Sequence, residues 1–269
     1  MPKLDLEPLE KYCFTRLEDR NDAILSIPAD DLLDLARLED FIDEYVPLMH
    51  ALDRGAAAAA LCRWFAGPAI AFQYGLSVWN KAIDVSLSNL TIQLYPVDQY
   101  CLFSFKINRW SDLDAPVNEW DRKDWRRRQL ERFYENTMRP VIEKLSEVSG
   151  VNTGQLWGQL PGKFKYYLNI IAGLTEQKEI LDRLKDDYDF LKFGLDAAVF
   201  DRKRNPFDVK IRTTESLEEP GKQVPMECTC CLNFRVENAP YCFACPRVKE
   251  EEREALRAKF REESQSVNR

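Results

Sequence analysis

The chain has 269 residues, of which 45% are hydrophobic and 31% charged, and its formal charge is −7. This is the composition of a soluble globular protein, long enough for one large domain or two modest ones. The acidic balance excludes any general attraction to nucleic acid or to an anionic membrane, although local basic patches remain compatible with it.

The N-terminal segment MPKLDLEPLEKYCF carries a lone Lys3, early acids and no apolar core, so it does not read as a secretory signal. Asp30 and Asp31, after Pro28, are placed to cap a helix through DLLDLARLEDFIDEYVPLM, where Leu32, Leu35, Leu38, Phe41 and Ile42 recur at helical spacing. Gly55 to Trp79 is apolar and long enough to resemble a membrane span. Arg63, Gln73 and Asn80 in or beside it, and the interruption at Gly67-Pro68, favour a pair of buried helices instead. No integral span is expected, and the location is read as cytoplasmic, peripheral contact with the inner face of the membrane being compatible.

Ile83 to Pro96 alternates, with Val85, Leu87, Leu90, Ile92 and Leu94 as the inward set and a turn or bulge near Ser88-Asn89. Tyr100 to Ile107 is a second β-rich run, and the short PVDQ connection predicts an antiparallel hairpin. Helical patterns return over Trp125–Val148, Gln155–Ile171 and Glu176–Leu191, the last with Thr175 as its cap. Beyond Phe200 the chain reads as a long loop into a cysteine-rich segment, and from Val248 as a charged, solvated helix. The fold class is therefore α+β: a mainly helical body with a small antiparallel sheet and a C-terminal cysteine module. The expected units are residues 1–215, 216–248 and 249–269.

Eight cysteines occur, and five lie in MECTCCLNFRVENAPYCFACPR. Crowded thiolates repel one another unless a metal neutralises them, and in a reducing compartment such a cluster points to a metal site before a disulfide framework. Cys230, Cys231, Cys242 and Cys245 fit C-C-x10-C-x2-C, with Cys228 just upstream. A zinc knuckle pair is one solution, but only Cys242 and Cys245 have knuckle spacing, so Cys228 and Cys230 would have to form the other half. A [2Fe–2S] cluster also takes four cysteines, two per iron, and suits a doublet facing a C-x2-C. Spacing alone leaves both open, with a structural zinc site in a non-catalytic binding or scaffold protein as the competing function. Cys13, Cys62 and Cys101 are scattered and read as ordinary core residues.

The C-C-x10-C-x2-C ending, with Cys245-Pro246 and Phe234 between the two pairs, resembles the FhuF-like siderophore-iron reductases. Asn205-Pro206 and Leu156-Trp157-Gly158 are similar to features of that family, while Cys228 is an addition to its pattern. The resemblance implies that Cys230, Cys231, Cys242 and Cys245 hold a [2Fe–2S] cluster. It further implies one-electron reduction of Fe(III) in a hydroxamate or citrate-based ferric siderophore, with release of Fe(II). No G-x-G-x-x-G follows a strand and no P-loop is present, so an external donor such as a ferredoxin- or flavodoxin-like protein is implied. Anionic ferric chelates suit a basic surface, for which Arg202, Lys203, Arg204, Lys210 and Arg212 before the module and Arg247 after it are candidates. Arg126, Arg127 and Arg128, with Arg132 and Arg139, read instead as a salt-bridged helix face, and His50, the single histidine, as a packed or surface residue.

Overall fold

The computed structural model describes residues 4–98 and 100–267, with side chains through Ser264. Its helices, in chain order, are α1 (Glu7–Cys13), α2 (Leu35–Leu48), α3 (Arg54–Trp64), α4 (Ala66–Tyr74), α5 (Glu119–Phe133), α6 (Arg139–Ser149), α7 (Thr153–Trp157), α8 (Leu160–Ala172), α9 (Lys178–Asp189) and α10 (Glu250–Val267). The strands are β1 (Thr15–Arg16), β2 (Leu25–Pro28), β3 (Lys81–Ile83), β4 (Leu90–Val97), β5 (Tyr100–Ile107), β6 (Asp112–Asp114), β7 (Thr213–Glu215) and β8 (Gln223–Pro225).

Alternation in β4 and β5 builds the sheet. Antiparallel pairing sets Leu90 opposite Ile107, Ile92 opposite Phe105 and Leu94 opposite Phe103, and all six are buried on one face. The tight hairpin is the expected one, with Asp98 in the left-handed region. A short 3-10 turn, Leu87–Asn89, accounts for the broken alternation before β4. Two strands that local pattern does not reveal complete the sheet in the order β1-β5-β4-β2, with β1 parallel to β5. Helices cover the apolar face. Tyr45 of α2 meets Phe103 edge-on at 4.9 Å, and Phe65, between α3 and α4, meets Phe105 at 5.2 Å.

The apolar stretch Arg54–Trp79 is long enough to cross a membrane, yet 83% of its most apolar part is buried within the protein. It is the central helix pair, broken at Phe65, with Pro68 in the first turn of α4 where its missing N–H costs nothing. The alanines at 56–59 keep α3 thin enough to pack against both α2 and α6. The α2 helix starts later than expected. Asp30 and Asp31 lie in a 3-10 turn, and Asp34 is the cap, accepting from the Arg37 N–H at 3.1 Å. Thr175 accepts from the Gln177 N–H at 3.1 Å, just before α9 begins at Lys178.

The chain of α4 runs on into a π-helical turn, Gly75–Trp79, whose wider ring leaves carbonyls in search of donors. Arginines from α5 and α9 supply them: Arg122 donates to the Leu76 carbonyl at 3.2 Å and Arg183 to the Ser77 carbonyl at 2.6 Å. At the centre lies Asp187, with no exposed surface, bound by Arg122 at 2.8 Å, Arg126 at 3.0 Å and the Ser77 hydroxyl at 2.9 Å. Arg126 is therefore buried, contrary to the surface reading of the Arg126–Arg128 run, because α9 brings Asp186 and Asp187 over it. Arg127 and Arg128 do pair on the surface, both with Asp124.

Removing one partner of such a network leaves a buried charge uncompensated. Asp187→Asn is expected to destabilise the fold by about 3–5 kcal/mol, read by denaturant unfolding, whereas Asp124→Asn should change stability by under about 1 kcal/mol.

Candidate metal centre

The cysteine run is built onto the corner between α7 and α8. Thr229 donates to the Gln155 carbonyl at 2.8 Å and accepts from the Gln159 side-chain amide at 2.8 Å. The Cys230 carbonyl accepts from the Gln155 amide at 3.0 Å and the Gln159 amide at 3.1 Å. Gly158 permits this approach, because a Cβ there would stand 3.0 Å from the Thr229 Cβ and inside the contact radius of its outer atoms. The Leu156-Trp157-Gly158 segment thus has a physical task beneath the doublet. Trp157 is buried against Phe200, and Asn205 pins the following loop by donating to the Leu191 and Leu195 carbonyls at 2.7 and 3.1 Å.

After the doublet, Leu232 adopts a left-handed conformation that turns the chain at once. The connection is sewn to the body: the Leu52 N–H donates to the Arg235 carbonyl and the Glu237 N–H to the His50 carbonyl, each at 2.8 Å, and Arg235 pairs with Asp53 at 3.1 Å. Phe234 stacks on Tyr241 at 4.7 Å, and the turn closed by the Cys245 N–H on the Cys242 carbonyl at 2.9 Å presents the second pair. The charged C-terminal helix is not a solvated tail at its start. Arg253 of α10, only 2% exposed, donates to the Cys245 carbonyl at 3.1 Å and the Val248 carbonyl at 3.0 Å, and Arg257 reaches Thr214 of β7 at 3.2 Å.

The sulfurs meet as nested pairs. Cys231 and Cys242 Sγ are 3.5 Å apart, and Cys230 and Cys245 Sγ are 4.0 Å apart. Two thiolates on one tetrahedral metal, with bonds near 2.3 Å, lie about 3.8 Å apart. Among the described residues no group of three or more His, Cys, Asp or Glu side chains is arranged to hold a metal ion, and the close sulfur contacts are these two pairs. Backbone N–H groups support them: those of Leu232 and Asn233 reach Cys230 and Cys231, and that of Arg247 reaches Cys245 Sγ at 3.5 Å. The hydrogen bond between the Cys231 and Cys242 sulfurs holds Cys231 down at about 6 and pushes Cys242 up, while burial raises Cys230. Cys230, Cys231 and Cys245 are buried and Cys242 is half-buried. Cys228 stands apart, with its thiol taking the Gly162 N–H near Tyr188.

The basic residues expected to hold substrate are dispersed. Arg202 bonds to Thr153 at 2.8 Å, Lys203 and Arg204 lie exposed in turns, and Lys210 lines a separate groove with Lys165 and Lys192. Arg212 is exposed and offers its carbonyl to the Met226 N–H at 2.8 Å. Arg247 is exposed with its guanidinium 5.7 Å from the Phe234 ring centre. The charges beside the sulfurs are others. Glu227 pairs with Arg63 at 3.7 Å, and Lys163 on α8 lies within electrostatic range of Arg63, Glu227, Cys231 and Cys242. Burial, with Arg63 adding to it, pulls the Lys163 ammonium below its ordinary range. Arg63 and Lys163 open onto a cavity of about 210 Å³. A wider groove of about 720 Å³ runs along Asn233–Pro240 and shares Trp64 with that cavity. Arg63 had one signal in the sequence, as the lone charge inside the apolar stretch; Glu227 had none.

The profile of a family described as ferric iron reductase FhuF-like transporter matches residues 59–219, well over half of the chain. The chain belongs to the FhuF-like family. The match begins within α3 and takes in α4 to α9, Leu156-Trp157-Gly158 and Asn205-Pro206, and it ends before the clustered cysteines. No curated protein matches the chain. What the FhuF-like region contributes is thus the platform on which the cysteine run is seated.

If Gly158 exists to admit Thr229, Gly158→Ala should destabilise the protein by about 1–3 kcal/mol. Adding Thr229→Ala should recover part of that loss, in a double-mutant cycle followed by thermal unfolding.

Proposed function

We propose that this member of a ferric iron reductase family is a cytoplasmic ferric-siderophore reductase, with Cys230, Cys231, Cys242 and Cys245 holding a [2Fe–2S] cluster. The observation that carries this reading is the pairing of the sulfurs, Cys231 with Cys242 and Cys230 with Cys245, at separations suited to one pair per metal. A structural zinc site would draw on the same four thiols at similar separations within each pair, and membership of a ferric iron reductase family is what favours the cluster. When bound, the cluster supplies the one-electron couple that turns chelated Fe(III) into Fe(II).

The chain's own groups set the conditions for that couple. N–H donors from Leu232, Asn233 and Arg247 stabilise negative charge on the sulfurs, and so favour the reduced form. Gln155, Gln159 and Thr229 fix the doublet, and Arg253 fixes the turn after Cys242, so little reorganisation accompanies a change of charge. Three buried cysteines keep water away, while half-buried Cys242 marks the edge from which a substrate is within reach.

The substrate is Fe(III) in the hard oxygen donors of a hydroxamate or citrate-based siderophore. One added electron weakens those bonds, and Fe(II) leaves to softer or weaker ligands. The electron is replaced by an external ferredoxin- or flavodoxin-like donor.

Four of the five clustered cysteines should be needed and the fifth should not. Serine at position 230, 231, 242 or 245 is expected to abolish visible absorption and the appearance of Fe(II), trapped with a ferrous-specific chelator, when a ferric chelate and reductant are supplied. Cys228→Ser should retain both. Loss of colour in Cys228→Ser, with colour retained in any of the other four, would overturn the assignment.

A further inference from the structure

The cavity beside the Cys231–Cys242 pair holds an unusual set of side chains. Its walls are aromatic: Phe14 meets Trp64 edge-on at 4.9 Å and Tyr167 at 6.2 Å. Into this apolar space open two cations, Arg63 and Lys163. Arg63 is half-neutralised by Glu227 at 3.7 Å. The Lys163 side chain is half-buried and forms no ion pair or hydrogen bond among the described residues, with Glu227 and the Cys231 and Cys242 sulfurs within electrostatic range. Partial burial makes such an ammonium costlier than one in water, and an anion in the cavity would offset that cost. In such apolar surroundings the attraction is stronger than on an open surface.

We infer that this cavity binds a carboxylate arm of the ferric chelate, with Lys163 and Arg63 as its anchors, and that the preferred substrates are anionic carboxylate siderophores over uncharged hydroxamate ones. Size agrees with an arm as occupant. At about 210 Å³ the cavity is smaller than the roughly 300–1,000 Å³ that holds a whole drug-sized ligand. Charge agrees as well. Four thiolates make the neighbouring centre negative, so an anionic chelate approaches it closely only where cations intervene, and Lys163 lies in the field of both Cys231 and Cys242. The inference rests on the reductase reading for the identity of the chelate, but not for the presence of an anion site.

The test is calorimetric titration of the anaerobic full-length protein with gallium(III) citrate, a redox-inert stand-in, and with the gallium(III) complex of an uncharged trihydroxamate. Lys163→Met should weaken binding of the citrate complex about tenfold, leave the trihydroxamate unchanged, and leave visible absorption intact. Should that variant fold poorly, the wild type answers alone: raising the salt concentration should weaken the citrate complex and not the uncharged one. Equal affinity in Lys163→Met, tighter binding of the uncharged chelate, or salt-independent binding of the citrate complex would overturn the inference. Citrate alone binding as tightly as its gallium complex would also overturn it, by assigning the cavity to a free carboxylate. A colourless protein that still binds gallium citrate through Lys163 would sink the reductase reading and leave the anion site standing.

Discussion

The arrangement of the sulfurs depends on one close approach, that of Thr229 over Gly158. The corner between α7 and α8 has no Cβ at this point, so the backbone of the cysteine run settles into reach of Gln155 and Gln159. Those two amides take the Cys230 carbonyl, and the doublet is thereby held in one orientation. Leu232 then reverses the chain, and the ten-residue connection is bound to His50–Asp53 before it returns Cys242 and Cys245. A nested pairing follows from this path: the inner cysteines of the motif meet each other, and so do the outer ones.

Carbonyls with no local partner recur through the molecule, and arginine answers several of them. Arg122 and Arg183 take the carbonyls loosened by the π-helical turn after α4, and Arg253 takes those around Cys245. In each place a planar guanidinium satisfies several acceptors from one helix, which an ammonium does with less geometric fit. Lys163 differs: it is a half-buried cation beside a cavity, with no ion pair or hydrogen bond among the described residues. That contrast separates positions whose charge completes the fold from the one proposed to anchor a ligand.

The sequence made the sheet's centre and the cysteine site legible for different reasons. Strands β4 and β5 alternate over eight residues each, and a tight turn joins them, so their pairing is a local property. Strands β1 and β2 are two and four residues long and pair with partners far along the chain, so no window of sequence contains the signal. The cysteines stood out by density, but which sulfur meets which is a matter of the path between them, and that path is fixed by Gly158 and Leu232. The position of Cys228 is equally non-local, since α8 supplies the Gly162 N–H that its thiol takes. Charge was the least legible property. Arg253 and Arg257 look like members of a solvated helix, and Arg202 to Arg204 look like a binding surface, yet burial reverses the first impression and dispersal weakens the second.

The central claim is that two pairs of sulfurs serve two irons. Metal and acid-labile sulfide analysis of protein purified without oxygen, joined to electron paramagnetic resonance before and after reduction, tests it most directly. The account predicts a reddish-brown protein with about two irons and two sulfides per chain, silent when oxidised and paramagnetic once reduced by one electron. A colourless protein with one tightly bound zinc per chain and no sulfide would contradict it.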